Sequence, residues 1–160
     1  MAVKEGDRVA SGTFKVMTAD GPKDMTTDEL FKGKTVALFS VPGAFTPTCS
    51  AKHLPGFVQN AAALKAKGVD TIACTAANDV FVMNAWGKEQ GCGDKVVMLA
   101  DGSADFARSL GLQLDLTARG MGLRAQRYSM VVKDGVVSKL NVEAPGAFEV
   151  SSAEHLLSQL

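Results

Sequence analysis

The sequence predicts one three-layer α/β domain spanning residues 1–160, with a mixed central sheet, helices on both faces and an N-terminal extension. Three observations carry that expectation. The run Thr35-Val36-Ala37-Leu38-Phe39-Ser40-Val41 is almost unbroken apolar sequence, as in a central strand covered on both sides. Strand-like and helix-like segments alternate from there to Gly111, the order that builds parallel crossover units. The pattern then changes to two strands joined by Lys133-Asp134-Gly135, an Asp-Gly turn that makes the pair antiparallel.

The elements follow in order. Thr26 with Glu29 three residues on has the form of a capping box and opens a short helix through Leu30 and Phe31. Gly33 ends it. After the strand at 35–41 comes Pro42-Gly43-Ala44-Phe45, then Thr46 as N-cap and Pro47 at the first helical position, where its missing N–H costs nothing. This helix carries Leu54, Phe57, Val58, Ala61, Ala62 and Leu64 to a stop at Gly68, with a kink expected at Pro55. Val69 to Thr75 reads as a second buried strand. Asn78 or Asp79 caps a helix bearing Phe81, Val82, Ala85 and Trp86, and Lys95 to Ala100 is a third strand. Ser103 caps a helix through Phe106, Ala107 and Leu110, closed by Gly111; a Gly- and Arg-rich stretch runs to about Arg124. Tyr128 to Val132 and Val136 to Val142 are the hairpin, and Ser151 with Glu154 opens a last helix through Leu156, Leu157 and Leu160. The order suits a thioredoxin-like fold with insertions.

Composition narrows the function classes. Seventeen basic residues balance seventeen acidic ones, so no net field draws a phosphate backbone or an anionic membrane, and neither nucleic acid nor membrane is expected as a partner. No apolar run approaches the ~18 residues of a membrane span. Three irregularly spaced cysteines do not form a disulfide framework and point to a reducing, cytoplasmic setting.

Cys49 falls at the third position of its predicted helix, where free backbone N–H groups and the positive end of the dipole favour thiolate over thiol. A small hydrophobe at the start of a packed helix is the plainer reading of such a residue. The surrounding sequence decides between them. Val41-Pro42-Gly43-Ala44-Phe45-Thr46-Pro47-Thr48-Cys49-Ser50, followed by His53-Leu54-Pro55-Gly56-Phe57, closely resembles the active-site segment of type II (Prx5-class) peroxiredoxins. Asn78-Asp79-Val80-Phe81-Val82-Met83-Asn84-Ala85-Trp86, Leu99-Ala100-Asp101-Gly102 and Arg127-Tyr128-Ser129-Met130-Val131-Val132 extend the resemblance over nearly the whole chain.

The resemblance implies a thiol-dependent peroxidase that needs neither cofactor nor metal. By it, Cys49 is the peroxidatic cysteine, Thr46 the hydroxyl that contacts the peroxide, Pro42 the shield over the sulfur and Arg127 the activating guanidinium. An arginine there has independent sense, since it stabilises thiolate and donates to both peroxide oxygens. The alternative for Arg127 is a strand-start residue in a surface ion pair. The resemblance also implies a homodimer packed around the active-site loop, for which Phe45 is an apolar contact.

His53 lies one turn beyond Cys49 and raises a Cys/His hydrolase pair, but such pairs are assembled from separate elements with a third group orienting the histidine. It is expected to brace the loop. A zinc site would need two more ligands than Cys49 and His53, and a dithiol exchanger would need a cysteine where Thr46 stands. A non-catalytic redox sensor using oxidised Cys49 is the alternative from another class. Cys74 has two readings: buried core, or the resolving thiol that plant-type members carry at this separation. The C-terminal resolving cysteine of mammalian-type members is absent from Phe148-Glu149-Val150-Ser151-Ser152. Cys92, between two glycines, is expected as an exposed loop thiol. The reductant is glutathione with glutaredoxin, or thioredoxin, and the missing C-terminal cysteine tilts the expectation to a monothiol cycle with the former.

Overall fold

The computed structural model describes residues 2–160. Its centre is a seven-stranded sheet in the order β2-β1-β5-β4-β3-β8-β9. β3 (Thr35–Ser40), β4 (Thr71–Ala76) and β5 (Val97–Ala100) run parallel, and they are the apolar runs read from the sequence. The hairpin of β8 (Tyr128–Lys133) and β9 (Val136–Val142) adds antiparallel to β3. Its turn places Asp134 at φ 48° and Gly135 at φ 80°, the pair of positive angles that a two-residue type I′ hairpin demands.

The N-terminal extension is a second hairpin, β1 (Thr13–Thr18) and β2 (Gly21–Thr26), laid antiparallel on β5. Sequence patterning missed it. As the outermost strand, β2 is mostly solvent-facing and reads Gly-Pro-Lys-Asp-Met-Thr, so no buried stripe marks it. The Gly- and Arg-rich stretch is likewise ordered, as a two-stranded sheet of β6 (Gln113–Leu116) and β7 (Gly122–Ala125) around a 3₁₀ turn.

Helices cover both faces. Against one pack α2 (Leu54–Gln59), α3 (Ala61–Ala66), α4 (Val80–Glu89) and α6 (Ala153–Ser158), burying Phe57, Leu64, Trp86 and Leu156 on Phe39 and Ile72. Against the other pack α1 (Thr27–Phe31) and α5 (Asp105–Leu110), burying Phe31 and Phe106 on Leu38 and Leu99. The capping box of α1 is as expected, with Thr26 Oγ1 accepting from Glu29 N and Glu29 Oε1 accepting from Thr26 N.

Other helix starts correct the sequence reading. Ser103 does not cap α5. Ala104 stands at the cap with φ 60°, and the buried Asp101 carboxylate reaches in to accept from Phe106 N and Ala107 N, each at 3.0 Å. Ser152, not Ser151, caps α6 by accepting from His155 N. The expected single helix from Pro47 to Gly68 is three pieces. Pro55 has no N–H to donate, and the chain meets this with a π-helical turn at Cys49–His53 rather than a sharp kink, Leu54 N donating to Cys49 O. Asn60 then breaks the run between α2 and α3.

Candidate active site

Cys49 lies between the end of β3 and α2, in the helical turn that follows a short loop held from both sides. Ala44 N donates to Asn78 Oδ1 at 2.8 Å, and Arg124 donates through Nη1 to Pro42 O and through Nε to Met121 O. Gly43 lets these groups approach closely: a Cβ would stand 3.0 Å from Arg124 Nη1 and 3.2 Å from Thr46 Cγ2, so both side chains would have to shift. Phe45 holds φ 65°, a region costly for a bulky side chain. The helix then begins at Pro47, with Ser50 N donating to Thr46 O, so Cys49 does occupy the third helical position.

The hydroxyl of Thr46 does not cap the backbone as expected. It lies 2.7 Å from Gly43 O and 2.8 Å from Cys49 Sγ, and its single hydrogen can serve one of them at a time. Arg127, at the start of β8, reaches across the sheet end and donates through Nη2 to Cys49 Sγ at 3.0 Å. Its other arm, Nη1, lies 2.9 Å from His53 Nδ1. A guanidinium has only donors, so Nδ1 must accept and the imidazole carries its hydrogen on Nε2. That hydrogen is donated to Ser151 O at 2.9 Å.

His53 is fully buried. Burial first, and the Arg127 charge second, push its pKa down to about 3, so it is a neutral acceptor and not a base for Cys49. The expected bracing role is thus specific: His53 supports the guanidinium. The π-helical turn presents Cys49 and His53 to one arginine from adjacent turns. Pro42 lines the open side of the site with Thr48, Leu114, Arg127 and Pro145, a hollow whose walls are mainly apolar. Among the described residues no three His, Cys, Asp or Glu side chains gather as metal ligands would.

The other two cysteines are buried in the same core cluster as Cys49. Cys74 is wholly buried in β4, paired in register with Phe39 and Met98. Burial, and then the nearby Cys49 sulfur, hold its thiol well above the usual range. Cys92 corrects an expectation: it is buried, not exposed, tucked behind the end of α4 with its N–H on Gly87 O, and burial raises its thiol to about 11. Sequence reasoning did not place four residues at the site: Asn78 and Ser151, read there only as helix starts, with Arg124 and Glu143. Asn78, Arg124 and Ser151 meet partners 34, 82 and 98 positions away, which no local spacing reports, and the Glu143 carboxylate binds residues six to eight positions on, in a loop without a motif.

The Redoxin family profile matches residues 4–157. The chain is 47% identical over 156 residues to peroxiredoxin-2B of Arabidopsis thaliana, covering 97% of this chain and 96% of that one. The chain belongs to the peroxiredoxins. It is a thiol-dependent peroxidase with the thioredoxin-like fold of that family. Peroxiredoxin-2E-2 of Oryza sativa subsp. japonica, a chloroplastic protein, is 49% identical over 97% of this peroxiredoxin and 71% of its own length. Reduced Prx3 of Vibrio vulnificus in complex with hydrogen peroxide superimposes with a TM-score of 0.95 at 50% identity, over 98% of both chains.

Proposed function

We propose that this peroxiredoxin reduces hydrogen peroxide and alkyl hydroperoxides at Cys49, with Thr46 and Arg127 holding the peroxide and Pro42 shielding the sulfur. The observation that carries the reading is the placement of the Thr46 hydroxyl and the Arg127 guanidinium 2.8 and 3.0 Å from one sulfur. The Cys49 thiolate attacks the terminal peroxide oxygen in line; the O–O bond breaks, the sulfur becomes sulfenic acid, and the alkoxide or hydroxide takes a proton and leaves as alcohol or water. Arg127 neutralises the charge that moves from sulfur to the leaving oxygen. The hydrogen peroxide complex of the Vibrio relative supports the small substrate, and the apolar walls at Leu114 and Pro145 support the alkyl one.

Regeneration follows a monothiol cycle. Glutathione attacks the sulfenic acid and water leaves; the glutaredoxin thiolate then attacks the glutathione sulfur of the mixed disulfide, takes up the glutathionyl group and releases Cys49 as thiolate. The burial of Cys74 within the sheet supports this over an internal disulfide. Thioredoxin is the alternative reductant. The protein works in the cytoplasm as a homodimer, for which exposed Phe45 in the active-site loop and exposed Phe81 in α4 offer apolar contacts. The test is peroxide consumption with glutathione plus glutaredoxin and with thioredoxin in turn. Many turnovers with the first support the scheme; a single equivalent consumed with either would favour a redox sensor instead.

A further inference from the structure

The segment from Glu143 to Ser151 is folded around one carboxylate. Glu143 is buried and its oxygens collect Glu149 N at 2.9 and 3.0 Å, Val150 N at 2.9 Å, Ser151 N at 2.8 Å and the Ser151 hydroxyl at 2.6 Å. Burial disfavours the charge, but the Ser151 hydroxyl and the three N–H groups outweigh it, and the carboxyl titrates below its ordinary value. The chain thereby returns on itself, and Glu143 N donates to Arg127 O at the same place.

This loop supports the Arg127–His53 pair at two points. Ser151 O receives the His53 Nε2 hydrogen, which keeps Nδ1 free to accept from Arg127. Phe148 lies 5.9 Å below the Arg127 guanidinium carbon and 5.0 Å from the His53 ring, within reach of a cation–π contact. Ser151 is the last of the three residues whose N–H groups Glu143 holds, and Phe148 directly precedes the first. Resting on the assignment of Cys49 and Arg127 above, we infer that Glu143 is a positioning residue for peroxide reduction: its carboxylate sets Ser151 and Phe148, which set the imidazole tautomer and the plane of the guanidinium.

The experiment is a double-mutant cycle. Glu143→Gln places an NH₂ group among groups that are all donors, so the cradle loosens while the volume is kept. Stopped-flow oxidation of the reduced protein by hydrogen peroxide is expected to slow on the order of 10-fold. In an Arg127→Ala background the same change is expected to cost little more, since its route runs through that arginine. Nitrogen-15 spectra of the two histidines (His53 and His155) should show His53 leaving the Nε2–H tautomer. A parent-like rate, an equal loss in both backgrounds, or an unmoved His53 signal overturns the inference. If Arg127→Ala alone oxidises at the parent rate, the Arg127 assignment fails; if it is slow and Glu143→Gln is not, only the present inference fails. Should Glu143→Gln not fold, Ser151→Ala takes its place in the cycle, with the same direction required.

Discussion

Serine at position 49 would keep the shape of the thiol and lose its nucleophilicity near neutral pH. Cys49→Ser is therefore expected to abolish peroxide turnover while its circular dichroism stays that of the parent. Arg127→Ala removes the guanidinium held on the sulfur and is expected to slow peroxide oxidation by a factor of about 10² or more, the size of losing a transition-state donor; rapid mixing with hydrogen peroxide measures it. Cys74→Ser should keep most glutaredoxin-supported turnover, because both sulfurs are buried in the same core cluster and joining them would require unwinding the turn that carries Cys49 and moving the end of β4. Intact mass after one equivalent of peroxide checks the same point: a two-hydrogen loss in most molecules would show a disulfide where the sulfenic acid is expected.

At the scale of elements, helix starts show how far local pattern reaches. The Thr26–Glu29 box is complete within four consecutive residues and can be read from them. The start of α5 cannot, since its cap is a carboxylate from before the turn, aimed by the positive φ of Ala104. Asp101→Ala is expected to cost about 1–2 kcal/mol, as for the loss of a capping side chain, with urea unfolding at neutral pH as the measurement. The π-helical turn was similarly out of reach. Pro55 announces that one backbone bond is missing, but whether the helix kinks or widens is decided by the packing of Leu54 and Phe57 on the sheet.

For the whole molecule, pH enters through His53. Its folded pKa, about 3, lies below the ordinary 6.5, so between those values the unfolded chain binds the extra proton. The contribution of neutral His53 is fully present above pH 6.5 and is lost as pH falls toward 3. Acidification through that window is expected to lower the urea midpoint of the parent, and more steeply than that of His53→Gln. Association belongs to this scale too. Sedimentation at micromolar protein is expected to give a dimer, and Phe45→Ala with Phe81→Ala to shift it toward monomer.

Of the site, the helical position of Cys49 was legible because a proline and a helix start leave a mark on the sequence, whereas Thr46 was read there as a cap and its hydroxyl turned to the sulfur instead. The parallel core strands were legible too, since strands buried on both faces must be apolar. Arg127 was named through resemblance and not by spacing. It lies 78 positions from Cys49, and an arginine at a strand start looks the same whether it meets water or sulfur. The tautomer of His53, the cradle at Glu143, the burial of Cys92 and the edge hairpin of β1 and β2 were decided by the tertiary structure alone. The His53 contacts join segments distant in the chain, the others close over short spans that carry no motif, and hydrophobic periodicity records which face of an element is buried but not which neighbour buries it.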